Sequence, residues 1–115
     1  YKRQVGESLT QKFEFIVNEK VFFTEAFRSD DRNSLKEHDF ELILQFYQDL
    51  IGRKTSRPLG EDLQFLLEMY CRGSVYMTEK WVLTGMKDSP AKMSKKLVEA
   101  MPPRLAAVFD ELKLL

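Results

Sequence analysis

The segment from Leu59 to Thr84 contains no proline and is apolar on two opposed sides, and this limits the folds open to the chain. At helical spacing, Leu63, Leu66, Leu67, Tyr70, Ser74, Met77 and Trp81 form one stripe. Phe65, Met69, Tyr76 and Leu83 form a second stripe on nearly the opposite side. A small domain readily covers one such face; covering both would require the helix to pass through its centre. A partner chain is the simpler cover for the second stripe. The competing reading is that the first or fifth helix of the same chain covers it. Gly85 stands just past the segment, where a C-terminal glycine cap belongs.

The rest of the chain has the same helical period. Val5, Leu9, Phe13, Ile16 and Val17 predict a first helix from about residue 4 to 18, and Val21, Phe22, Phe23, Ala26 and Phe27 a short second one. The polar run at residues 29–33 ends it. Ser34 and Glu37 match a capping box, so a third helix is expected from Leu35 to about Arg53, closing near Gly52 before the basic loop at residues 53–58. Its apolar residues, Leu35 to Ile51, spread over an arc of roughly 200°, wider than one packing face requires, so neighbours are expected on two sides. Ser89-Pro90 reads as an N-cap with proline at the first helical position. It opens a fifth helix carrying Met93, Leu97, Val98 and Met101. Pro102-Pro103 stops that helix, and Leu105, Ala106, Val108, Phe109, Leu112 and Leu115 predict a sixth. The fold class is all-α with about six helices, one domain over residues 1–115, without repeats or low-complexity tracts.

Composition removes several functions. With 115 residues the chain hides roughly two-thirds of its unfolded surface, enough for a core without covalent staples. Cys71 is the one thiol and His38 the one imidazole, so disulfides and multi-cysteine or multi-histidine metal sites within one chain are excluded, and no cofactor is expected. Eighteen basic and eighteen acidic residues cancel, whereas duplex-binding modules usually carry a basic excess. Apolar runs are far too short for a bilayer span and Tyr1 opens a polar stretch unlike a signal peptide, so the expected location is the cytoplasm. The missing initial methionine suggests a longer protein whose front lies ahead of Tyr1.

The run from Tyr70 to Pro90 resembles the C-terminal domain of the TetR/AcrR family, especially regulators similar to the dihydroxyacetone-kinase regulator type. Gly73, Trp81, Gly85-Met86 and Ser89-Pro90 stand where those proteins have a small residue, a tryptophan, a Gly-Met pair and a Ser-Pro helix start. The resemblance extends over the whole chain in the order of its helices. It implies a homodimer whose C-terminal domains form an intermolecular four-helix bundle and sense a small molecule. It also implies that DNA is contacted only through an N-terminal helix-turn-helix head, which this sequence lacks. Helix shifts in the sensor would change the spacing of the two heads.

Candidate sites follow from the apolar faces. A ligand pocket is expected between the broad face of the third helix and the inner stripe of the fourth. Phe46, Tyr47, Tyr70 and Cys71 would form its walls and Asp39 its polar anchor. The dimer interface is expected to combine Phe65, Met69, Tyr76 and Leu83 with Leu105, Val108, Phe109 and Leu112 of the sixth helix. The alternative is a protein-protein interaction module with a packed interior, responding to a protein effector. Cys71 by itself reads as a packing residue, and Asp39, beside His38 in the first turn of its helix, as a partner for the helix dipole. No glycine-flanked serine or strand-turn-helix elbow supports catalysis, so the chain is not expected to be an enzyme. The basic clusters Arg53, Lys54, Arg57 and Lys92, Lys95, Lys96 read as solvated surface.

Overall fold

A computed structural model describes residues 4–115, so Tyr1 to Arg3 of the expected domain lie outside the described residues. Six helices follow one another: α1 (Gln4–Asn18), α2 (Lys20–Arg28), α3 (Arg32–Thr55), α4 (Glu61–Leu83), α5 (Pro90–Glu99) and α6 (Pro103–Glu111). The all-α expectation holds, and most boundaries fall within a turn of those read from the sequence. At about 1.5 Å per residue, the 23 residues of α4 span about 34 Å. The described residues form a body measuring 39 × 29 × 21 Å.

Two helix pairs make the frame: α1 lies along α5 and α3 along α4, while α2 bridges α3 and α4 and α6 closes against α4. Small residues let α1 and α5 approach closely. The Ser94 hydroxyl donates to the Gly6 carbonyl at 2.7 Å, and Thr10 donates to the same oxygen at 2.9 Å. The chain ends are tied as well, because the Val5 amide donates to the Leu114 carbonyl at 3.1 Å and Leu114 is fully buried.

Two expectations are corrected. The capping box does not form: α3 begins at Arg32 after Asp31, with no side-chain cap, so Ser34 lies inside the helix and is exposed. Ser29 organises the turn instead, donating to the Ala26 carbonyl and accepting from the Asp31 amide. The far end of α3 also runs past Gly52 to Thr55, where Ser56 adopts a left-handed conformation and its amide bonds the Gly52 carbonyl at 3.1 Å. The neighbours expected on two sides of α3 are present, α4 and α2 both packing against it, although its broad arc is only partly covered. Phe40, Ile43, Tyr47, Leu50 and Ile51 are buried, Leu35, Leu44 and Phe46 are half-buried, and Leu42 is exposed.

The sixth helix corrects the interface expected of it. Leu105 and Phe109 are 0% exposed within their own chain, and the Phe109 ring meets Tyr47 edge to face with centroids 5.5 Å apart. Val108 and Leu112 are half-buried, Leu112 against the same core. A nine-residue helix closing the bundle has one apolar face, and this chain uses it on itself.

Candidate functional site

The space expected to hold a pocket between α3 and α4 is filled. Tyr47 and Cys71 are wholly buried and Tyr70 nearly so, with the Tyr47 and Tyr70 rings meeting edge to face at 5.9 Å. The Tyr70 hydroxyl donates to the Leu97 carbonyl, tying α4 to α5. Ser74 and Thr78, also buried, are satisfied within α4 by donating to the Tyr70 and Ser74 carbonyls, each at 2.8 Å. Burial raises the phenol of Tyr47 far above its ordinary range and pushes that of Tyr70 up to about 12. It also pushes the Cys71 thiol up to about 12, against the opposing pull of the Lys12 charge. Tyr47, Tyr70 and Cys71 are therefore inert core groups rather than pocket walls. Aromatic rings at facing positions of two long helices interlock, and periodicity cannot distinguish interlocked rings from rings lining a void.

The other two expected pocket residues come together elsewhere. Asp39 and Phe46 line a groove between α1 and α3 of about 300 Å³, with Ser8, Leu9, Lys12, Leu42 and Ile43. Leu9, Leu42, Ile43 and Phe46 make most of its surface apolar, and Ser8, Lys12 and Asp39 supply its polar groups. Across it the Lys12 ammonium donates to Asp39 Oδ1 at 2.8 Å, with both side chains largely shielded from water. The uncovered part of the α3 arc is one wall of this groove, which accounts for the exposure of Leu42. Sequence reasoning missed Lys12 because it sits among the polar positions of α1. Its only signal was the carboxylate it meets, 27 residues away.

The outer stripe of α4 stands in the open. Phe65, Met69 and Tyr76 are 65%, 60% and 61% exposed, while Leu83 is half-buried against the core. Met77, assigned to the inner stripe, is exposed too. Between Met69 and Tyr76 lies Gly73, with no atom within 4 Å of where a Cβ would stand. Mid-helix glycine costs about 1 kcal/mol relative to alanine, and no packing within the chain requires it here.

A ladder of charges and rings joins this face to α3. The Arg72 guanidinium lies 3.5 Å from the centre of the Phe40 ring and binds Glu37 with both terminal nitrogens, at 2.5 and 3.2 Å. That double hydrogen bond holds the Glu37 carboxyl below its usual range and raises the guanidinium further. One turn along, Lys36 lies 4.7 Å from the Tyr76 ring centre and 3.2 Å from Glu79.

The TetR-type family model described as "Transcriptional regulator C-terminal region" matches residues 4–102. The chain belongs to this family. No curated protein and no solved structure matches it. TetR-family domains of this kind are non-enzymatic parts of transcription regulators. No helix among the described residues is long and apolar enough to cross a membrane.

In this TetR regulator domain, the residues that carry the family resemblance form a helix stop and restart. Gly85, at φ +97°, donates its amide to the Val82 carbonyl, and the Met86 amide reaches back to the Trp81 carbonyl at 2.8 Å, a Schellman arrangement. The Trp81 indole donates to the Asp88 carbonyl at 2.9 Å, fixing the connecting loop from below. Ser89 then accepts from the Lys92 amide at 3.1 Å and Pro90 opens α5. The Asp88 carboxyl, held below its ordinary value first by its hydrogen bond to Lys96, braces the same corner.

Proposed function

We propose that this domain joins two copies of a TetR-family regulator through the outward face of α4 and senses a small effector in the groove between α1 and α3. The observation that carries the dimer is the exposure of Phe65, Met69 and Tyr76 along one side of a 23-residue helix whose other side is buried. Gly73 supports it, since a missing side chain at the middle of that face lets a second helix approach closely. Leu83 joins the face at its end. The half-buried Val108 and Leu112 have exposed edges that a partner can cover, whereas Leu105 and Phe109 belong to the domain's own core.

Linkage between groove and interface runs through α3. Asp39 and Phe46 face the groove, and Phe40 and Lys36 on the same helix touch Arg72 and Tyr76 on α4. A ligand that fits one position of α3 better than another shifts the population by that difference in affinity, and the ladder carries the shift to the dimer face. DNA would be contacted by a helix-turn-helix ahead of residue 1.

Sedimentation tests this reading. The expected result is a dimer at micromolar concentration that becomes a folded monomer when Met69 and Tyr76 are both changed to glutamate. A monomeric parent overturns the dimer. The solid packing of Tyr47, Tyr70 and Cys71 favours a second reading, in which the effector is a protein bound to the surface. A groove that binds no small molecule while the dimer persists supports that reading instead.

A further inference from the structure

We infer that the groove between α1 and α3 selects small uncharged amphiphiles whose polar end both donates and accepts a hydrogen bond, namely alcohols and primary amides. This rests on the effector reading above for its purpose, but the ligand class follows from the groove itself. Leu9, Leu42, Ile43 and Phe46 offer an apolar bed of about 300 Å³, enough for a ring or short chain but not for a large drug-like molecule. At its polar end stands an ion pair rather than a single charge. Lys12 has three ammonium donors, of which one goes to Asp39 Oδ1 at 2.8 Å; among the described residues Asp39 Oδ2 accepts from no protein donor. A carboxylate drawn to Lys12 therefore meets the Asp39 charge, and an ammonium drawn to Asp39 meets Lys12. A hydroxyl or amide suffers neither repulsion. Its oxygen accepts from the Lys12 ammonium and its hydrogen goes to Oδ2, so both ions keep their own bond and gain another.

A matched series of probes tests this: 2-phenylethanol, phenylacetamide, phenylacetate and 2-phenylethylamine, titrated into the full chain with methyl NMR signals of leucine and isoleucine as the readout. The alcohol and the amide are expected to shift Leu9, Leu42 and Ile43 and to bind about fivefold more tightly than either charged isostere, a modest ratio because the site is partly screened by water. Lys12→Met is expected to turn the preference toward the amine and Asp39→Asn toward phenylacetate. Leu42→Glu, at an exposed wall position, should abolish the titrations of the alcohol, the amide and phenylacetate without touching the core. Equal or tighter binding of a charged isostere by the unmodified protein overturns the inference, as does absence of shifts at millimolar probe or shifts confined to other residues. If the neutral probes bind but leave the dimer unchanged in sedimentation, the ligand class stands and the effector reading fails.

Discussion

Ser94 and Gly6 lie 88 residues apart in sequence, yet the Ser94 hydroxyl donates to the Gly6 carbonyl at 2.7 Å, joining α5 to α1. A built Cβ on Gly6 would stand 3.9 Å from that hydroxyl oxygen, an ordinary contact, so the two helices meet through small groups without being jammed. The same carbonyl also accepts from Thr10, so loss of the serine leaves it partnered. Ser94→Ala is therefore expected to cost about 1 kcal/mol in urea denaturation. Ser94→Leu, which forces the helices apart, should cost about 1–3 kcal/mol. Equal midpoints for the two variants would show that the contact is not tight.

The two glycines of the Tyr70–Pro90 run should answer differently to alanine. Gly85 has φ +97°, so Gly85→Ala strains the backbone and should destabilise by about 1 kcal/mol even though nothing crowds the new methyl. Gly73 is helical and open, so Gly73→Ala should raise the helix propensity of the isolated subunit by about 1 kcal/mol while weakening the dimer. Thermal melts and sedimentation on the same samples separate the two effects. A Gly73→Ala protein that dimerises more tightly would remove that residue from the interface.

Cys71 should behave as a reporter of core opening. Its unfolded thiol titrates near 9.0 and burial raises the folded value to about 12. A group whose folded pKa is raised adds stability that is complete below the unfolded value and is lost as pH rises through the folded one. Denaturation midpoints should thus fall between pH 9 and 12, and this fall should be reduced in Cys71→Ala. At pH 8 a thiol-reactive dye should label the folded protein orders of magnitude more slowly than the unfolded chain. Rapid labelling under native conditions would mean that α3 and α4 separate readily.

Acid should loosen the corner between α4 and α5 only when pH falls below the ordinary aspartate range, because Asp88 holds its charge longer than a free carboxylate. Its carboxyl lies below the ordinary 3.8, held there by Lys96 and then Lys92. The stabilisation is present above the unfolded value and is lost as pH falls through the folded one. A carboxyl-carbon NMR titration should place the Asp88 midpoint below that of a free aspartate, and Lys96→Met should move it upward. An unmoved midpoint in that variant would assign the shift to another cause.

Helix number, order and most ends were legible in the sequence because caps and breaks are local. Ser89-Pro90, Gly85 and the paired prolines each act on residues within one turn. The capping-box reading at Ser34 and Glu37 failed for a reason outside that range: Glu37 is drawn to Arg72 on another helix, 35 residues away, while Ser29 settles the turn. The two apolar stripes of α4 were legible from their spacing, but their cover was not: Phe65, Met69 and Tyr76 stand exposed, as does Met77 of the inner stripe, while Leu83 of the outer stripe packs half-buried against the core.

Taken alone, the sequence determined which sides of each helix are apolar, and with that the all-α class and the two stripes of α4. Only the tertiary structure decided what covers each side. Phe109 turns inward against Tyr47 and Leu105 is buried in the same core, and the expected α3–α4 cavity disappears because Tyr47 and Tyr70 occupy it. The groove beside Leu42 and Phe46 lies between α1 and α3, where Lys12 of one helix meets Asp39 of the other. Periodicity is set by the geometry of one helix, whereas filling, covering and pairing depend on distances between helices that no local pattern encodes.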